Sequence, residues 1–237
     1  MTEIKICGIT RLEDALCAAA CGADAVGFIF HPTSPRCIAP ERAKAIIAGL
    51  PAGIATVGVF VNREAEEVAR TAGECGLDMI QLHGDESPEY CRRFPPERVI
   101  KAVFPRRPED LMALDAYDVR AFLVDFRETA RFGGTGKRAD WHLAAKLRES
   151  HPLILAGGLA MGNIGEAIAA VAPHAVDLNS GIERAPGIKD HALLREIVGT
   201  IRGEDRPRPK VVFDKAATSQ WTSHLRAGGS PSPDLNT

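Results

Sequence analysis

Short apolar runs alternate with amphipathic stretches along about the first 200 residues of the chain. The first run sets β-branched Ile4 and Ile6 between Glu3, Lys5 and Cys7, so those three polar or reactive side chains share one face of a strand. Further strand-like runs follow at 25–30, 55–60, 79–82, 99–103, 122–125, 153–156 and 176–179, which makes eight. Helical patterns fill the intervals. In the first, Thr10 with Glu13 forms a capping box, Leu12, Ala15, Leu16 and Ala19 make the apolar stripe, and Gly22 is a natural stop. Later helices begin at Pro40 before Glu41, Asn62 before Arg63, Ser87-Pro88, Pro108 before Glu109, Asp140 before Trp141, Asn163, and Asp190 before His191.

Strict strand–helix alternation builds a parallel sheet, and eight units within about 200 residues predict an α/β fold, a closed (β/α)8 TIM barrel. The rival, an open doubly wound sheet, lacks a Gly-rich dinucleotide turn after the first strand. We expect one barrel domain over residues 1–203. From Glu204 the composition changes to Asp205-Arg206-Pro207-Arg208-Pro209-Lys210 and then to Gly228-Gly229-Ser230-Pro231-Ser232-Pro233. Such a stretch is expected to form an unpacked tail over 204–237, with weak docking by Val211, Val212, Phe213 and Trp221 as the alternative.

Composition narrows the function. With 45% hydrophobic and 25% charged residues the chain can bury one sizeable core. A net charge of -2 argues against a general nucleic-acid or anionic-membrane surface and favours small-molecule chemistry. No apolar run approaches the roughly 20 residues that span a bilayer, and the N-terminus lacks a leader pattern, so a cytoplasmic protein is expected. The 6 cysteines form no CxxC and no Cys/His cluster, which speaks against a disulfide framework or a zinc site. Cys17 and Cys21, one helical turn apart, read as small helix residues.

In such a barrel the C-terminal ends of the strands face one another across the mouth. Cys7 ends the first strand and Asp125 the sixth, a thiol and a carboxylate suited to moving a proton if the pocket lowers the thiol from about 8.5 and raises the acid from about 3.9. Lys5, one layer below, would favour the thiolate. Taken singly, Cys7 reads equally as core filling and Asp125 as a loop cap. Gly157 and Gly158 leave the seventh strand, and Ser180 and Gly181 the eighth, where barrels commonly bind phosphate. Arg36, after the second strand, offers a planar fork for a carboxylate. Gln81, His83, Lys101 and Asp177 are polar on or beside strands, so they either pair with one another or face substrate. Gly133-Gly134-Thr135-Gly136 reads as a lid or a long connection, without Walker spacing.

From about residue 3 to about residue 203 the chain closely resembles the phosphoribosylanthranilate isomerase family of tryptophan biosynthesis. The resemblance rests on ordered motifs: Lys5-Ile6-Cys7-Gly8-Ile9-Thr10, Gly27-Phe28 with Ser34-Pro35-Arg36, Gly58-Val59-Phe60-Val61-Asn62, Gln81-Leu82-His83-Gly84, Asp125 followed by Gly133-Gly134-Thr135-Gly136, Asp140-Trp141, Leu155-Ala156-Gly157-Gly158-Leu159, Ser180-Gly181-Ile182-Glu183 and Pro186-Gly187-Ile188-Lys189-Asp190. It implies an Amadori rearrangement without metal or organic cofactor, on a phosphorylated small molecule, by a monomer or homodimer. By motif, Cys7 resembles the general base, Asp125 the general acid, Arg36 the anthranilate carboxylate holder, and Gly157-Gly158 with Ser180-Gly181 the phosphate cradle. Cys37, Ala139 and Asn179 depart from the family's usual residues but leave acid and base intact. Two alternatives are the histidine-pathway isomerase, which would carry Asp at position 7 and a second phosphate site, and a barrel that binds phosphosugar without turnover.

Overall fold

The structure, a computed structural model, describes residues 1–125, 141–203 and 211–214. Eight parallel strands close into a barrel in chain order: β1 (Glu3–Ile6), β2 (Ala25–Ile29), β3 (Ala55–Phe60), β4 (Met79–Leu82), β5 (Val99–Val103), β6 (Ala121–Val124), β7 (Leu153–Leu155) and β8 (Ala175–Leu178). Closure is made by β1 against β8, where Lys5 lies in register with Asp177. The period of two divides each strand's side chains between two cores. Ala25, Val57, Met79, Ile100, Ala102, Leu123, Ile154 and Ala175 fill the barrel interior. Ile4, Ile6, Val26, Phe28, Ile80, Leu82, Phe122 and Leu155 pack outward against the helices.

Those helices are α1 (Leu12–Ala20), α2 (Pro40–Ala48), α3 (Ala65–Cys75), α4 (Pro88–Cys91), α5 (Glu109–Met112), α6 (Trp141–Arg148), α7 (Ile164–Val171) and α8 (His191–Gly203). Two are single turns, α4 and α5. Ser87 caps α4 through Tyr90 N–H, and Asp190 caps α8 through Ala192 and Leu193 N–H. Among the described residues no helix is long and apolar enough to cross a membrane.

Three local expectations change. The Thr10 hydroxyl donates to Gly187 O at 2.6 Å instead of capping α1, whose N-cap position is Arg11. With that start the inward face of α1 is Asp14, Ala15, Cys17 and Ala18, which leaves Leu12 and Leu16 exposed. Asp14 is drawn inside because it accepts from Lys189 N and faces His191 Nε2 at the start of α8. Second, α3 begins at Ala65, because Asn62 adopts a left-handed φ of 48° and its side chain accepts from Asp85 N. Third, a hairpin follows β8, formed by β9 (Glu183–Ala185) and β10 (Ile188–Lys189), two strands beyond the eight that the sequence predicts.

The expected unpacked tail begins at Glu204, yet the part of it that is described, residues 211–214, contributes Val212 and Phe213 to the interior core. Asp140, the 133–136 glycine segment and Trp221 lie outside the described residues.

Candidate active site

At the C-terminal end of the barrel β1 delivers Lys5 and Cys7 to the interior. They pack against Gly27 of β2, where a Cβ would stand 2.9 Å from Cys7 Sγ and 3.0 Å from Lys5 Cε. Glycine there is a packing requirement, since any side chain would displace the thiol and the amine together. Lys5 Nζ donates to Asp177 Oδ2 at 2.8 Å, and both groups are buried. Burial works against the Lys5 charge, but Asp177 and Cys7 outweigh it and its pKa is raised. Burial raises Asp177, with Lys5 opposing.

The thiol departs from the sequence expectation. Burial pushes Cys7 up, Asp177 adds to that, and Lys5 and Lys189 pull it back down without overcoming it. Lys5 is therefore chiefly the partner of Asp177, and it favours the thiolate only against a larger desolvation penalty.

Asp125 follows β6 directly. His83 Nε2 lies 3.3 Å from Asp125 Oδ2, and Gln81 Nε2 lies 2.7 Å from His83 Nδ1. An amide nitrogen can only donate, so Nδ1 is the acceptor and a neutral ring carries its proton on Nε2, toward Asp125. Gln81, His83 and Asp125 thus form a chain along one wall, and Asp125 and His83 both lie within electrostatic range of Asp177. Among the described residues Gln81 Oε1, Asp177 Oδ1 and His83 Nε2 are buried without a hydrogen-bond partner, the last standing beside Asp125 at ion-pair distance only. Lys101 is not part of this group. It points to the helix layer, where its ammonium is held by Glu86 at 2.8 Å and by the carbonyls of Leu82 and Gly84.

The loops after β7 and β8 meet. A Cβ on Gly181 would collide with Leu159 O, so glycine is what allows the turn at Ser180–Ile182 to press against the loop carrying Gly157 and Gly158. Those two glycines have φ of 87° and 66°, a conformation that exposes successive backbone N–H groups. The two glycine clusters therefore lie against each other.

Arg36 reaches the mouth from the loop after β2. Its Nε and Nη2 grip Glu183 of β9, with Nη2 to Oε2 at 2.7 Å, while Nη1 has no hydrogen-bond partner among the described residues. Glu183 also accepts from Lys189 of β10 at 2.9 Å, and Lys189 in turn donates to Asn179 Oδ1 at 3.0 Å. Burial lowers the pKa of Lys189, and Glu183 and Cys7 oppose the change. Arg36 and Lys189 hold Glu183 below the usual carboxylate range against burial. Glu183 and Lys189 stand in the motifs that carry the resemblance but had no role assigned. The signal was present in Pro186-Gly187, a turn pair between two short runs, which pairs residues 183 and 189 across a hairpin.

With this geometry in view, comparison with known proteins is informative. The family described as N-(5'phosphoribosyl)anthranilate (PRA) isomerase matches residues 4–200. An N-(5'-phosphoribosyl)anthranilate isomerase from Syntrophus aciditrophicus is 55% identical over 202 residues, which is 85% of this chain and 88% of the relative. The crystal structure of the phosphoribosyl anthranilate isomerase from Thermotoga maritima superposes with a TM-score of 0.79 at 44% identity, covering 86% of this chain and 100% of that one. A phosphoribosyl anthranilate isomerase solved in complex with reduced 1-(o-carboxyphenylamino)-1-deoxyribulose 5-phosphate gives a TM-score of 0.76 at 42% identity over the same 86% and 100%. The chain belongs to the phosphoribosylanthranilate isomerase family.

Proposed function

We infer that this chain catalyses the Amadori rearrangement of N-(5-phosphoribosyl)anthranilate to 1-(2-carboxyphenylamino)-1-deoxyribulose 5-phosphate in tryptophan biosynthesis. The observation that carries the reading is the placing of a thiol after β1 and a carboxyl after β6 in one barrel mouth, beside joined glycine loops after β7 and β8.

An aldose-to-ketose shift needs an acid, a base and a gripped phosphate. Asp125 protonates the ribose ring oxygen, the bond from C1 to that oxygen breaks, and the anilino nitrogen's lone pair gives an iminium at C1. The Cys7 thiolate then takes the proton from C2, and the electrons of that C–H bond neutralise the iminium as an enolamine. Tautomerisation of the enolamine delivers the ketone. General acid and base catalysis contribute about 10²–10⁴-fold each in such steps, and anchoring both ends of the substrate adds the entropic part.

Arg36 takes the anthranilate carboxylate through the edge that Glu183 leaves open. Backbone N–H groups at Gly157, Gly158, Ser180 and Gly181 take the phosphate. Gln81 Oε1 and Asp177 Oδ1, which have no hydrogen-bond partner among the described residues, suit sugar hydroxyls, and His83 beside Asp125 orients it. Lys5 and Lys189 favour the thiolate form of Cys7. All the groups required are side chains and backbone of this chain, so the scheme draws on no cofactor. A charged phosphosugar substrate fits a cytoplasmic enzyme.

The direct test is conversion of freshly generated phosphoribosylanthranilate, followed by loss of its fluorescence. Decay far above the spontaneous rate is expected. A rate equal to spontaneous breakdown would contradict the reading.

A further inference from the structure

The inner core is closed at the end of the barrel opposite the proposed chemistry by residues that follow the family region. The family match ends at residue 200, and the segment concerned is 211–214. Val212 and Phe213 are essentially without solvent contact and join the interior cluster that includes Ala25, Ala55, Ala121 and Ala175. Those four alanines stand at the first positions of β2, β3, β6 and β8, so four of the eight strands open on a small side chain at the N-terminal rim. Space left by them is filled by Val212 and Phe213.

Backbone polarity is met with equal care. Glu3, the first residue of β1, is buried, and its two carboxylate oxygens receive three successive backbone N–H groups: Val211 at 2.6 Å and Val212 at 2.8 Å on Oε1, and Phe213 at 2.7 Å on Oε2. Arg120, immediately before β6, donates to the carbonyls of Val211 and Val212. A run of adjacent amides converging on one anion is an anion-binding nest, here built on a side chain of the same molecule. A bent apolar peptide bound by one carboxylate, one guanidinium and an apolar pocket is a complete recognition event, and it leaves the Glu3 charge compensated.

We propose that the N-terminal mouth of this barrel is a peptide-binding site whose occupant is the chain's own segment 211–214, a plug that ties the C-terminal extension to the barrel floor. In barrels this face serves stability while chemistry sits at the other end, so the plug governs the firmness of the floor and leaves turnover alone. The specificity elements are Glu3, which reads three consecutive amides and so excludes proline at 211, 212 or 213, and the alanine-lined pocket that takes an aromatic side chain.

Amide hydrogen exchange on the full-length protein tests this without relying on any variant. The amides of Val211, Val212 and Phe213 are expected to exchange at least about 100-fold more slowly than unstructured amides, with protection unchanged on dilution. Unprotected amides would overturn the proposal, and protection that falls on dilution would overturn its intramolecular form by showing that a second copy supplies the segment. In the full-length Phe213→Ala variant the thermal midpoint is expected to fall by about 5 °C or more and protection at 211–212 to be lost. Its kcat/KM should stay within about twofold of wild type. Glu3→Gln, which sets an amide N–H against the Phe213 N–H, should weaken the same protection. An unchanged midpoint and unchanged exchange in Phe213→Ala would refute the plug.

Discussion

Arg36 and Glu183, 147 residues apart in the chain, meet in a two-pronged ion pair at the barrel mouth, with Nη2 to Oε2 at 2.7 Å and Nε 3.0 Å from both carboxylate oxygens. The pair fixes the guanidinium plane before substrate arrives, and Lys189 fixes Glu183 in turn. As the proposed carboxylate holder, a guanidinium set in place in this way loses little freedom on binding.

Arg36→Met is therefore expected to raise KM by roughly 10–100-fold, the worth of a charge-assisted hydrogen bond or two, with a much smaller effect on kcat. Glu183→Gln keeps the shape but loosens the grip, and should raise KM by a smaller factor of about 10. Steady-state kinetics separates the two parameters. A fall in kcat at constant KM for Arg36→Met would assign the arginine to the transition state instead.

Asp177 raises the proton affinity of Cys7 through its charge and also occupies the Lys5 ammonium. Both effects disfavour the thiolate, so with Lys5 still protonated Asp177→Asn lowers the pKa of Cys7. The limb of the kcat/KM–pH profile that the Cys7 thiol sets is expected to move to lower pH. A limb that stays in place or moves up would show that Cys7 is not the base titrating there.

Much of this site was legible in the sequence, and the reasons are physical. Strand ends are readable because β-branched runs stop abruptly, and a closed barrel brings every strand end to one mouth, so Cys7, Asp125 and the two glycine clusters could be grouped before any coordinates. What escaped depended on partners distant in the chain. Thr10 looks like a cap by local spacing, but its hydroxyl is taken by Gly187. The period of two does not say which face of β5 is inward when both faces are buried, so Lys101 was grouped with the mouth, whereas Glu86 holds it in the helix layer. Val212 and Phe213 sit in a polar, Pro-rich stretch and gave only a weak apolar signal; Glu3 and Arg120, which seat them, are more than 90 residues away.

The Lys101–Glu86 pair makes a stability prediction. Burial raises the Glu86 carboxyl, but Lys101 and backbone N–H groups outweigh it and hold the pKa below the usual range. Because the folded carboxyl binds its proton more weakly than the unfolded one, the pair's contribution is complete above the ordinary glutamate value of about 4.3 and fades as pH falls through the folded value. Glu86→Gln leaves the Lys101 charge buried, and should cost about 3–5 kcal/mol at neutral pH while flattening the acid-side loss. Denaturant unfolding of both proteins from neutral pH down to about pH 3 measures this; parallel curves with a constant offset would contradict it.

The central claim is that Cys7 and Asp125 are the base and acid of the isomerisation. Its most direct test compares wild type, Cys7→Ala and Asp125→Asn for turnover of phosphoribosylanthranilate and for binding of the reduced product analogue. Each variant is expected to bind the analogue within a few-fold of wild type and to lose about 10²–10⁴-fold or more in kcat. Turnover near the wild-type rate in either variant, with binding intact, would contradict the assignment.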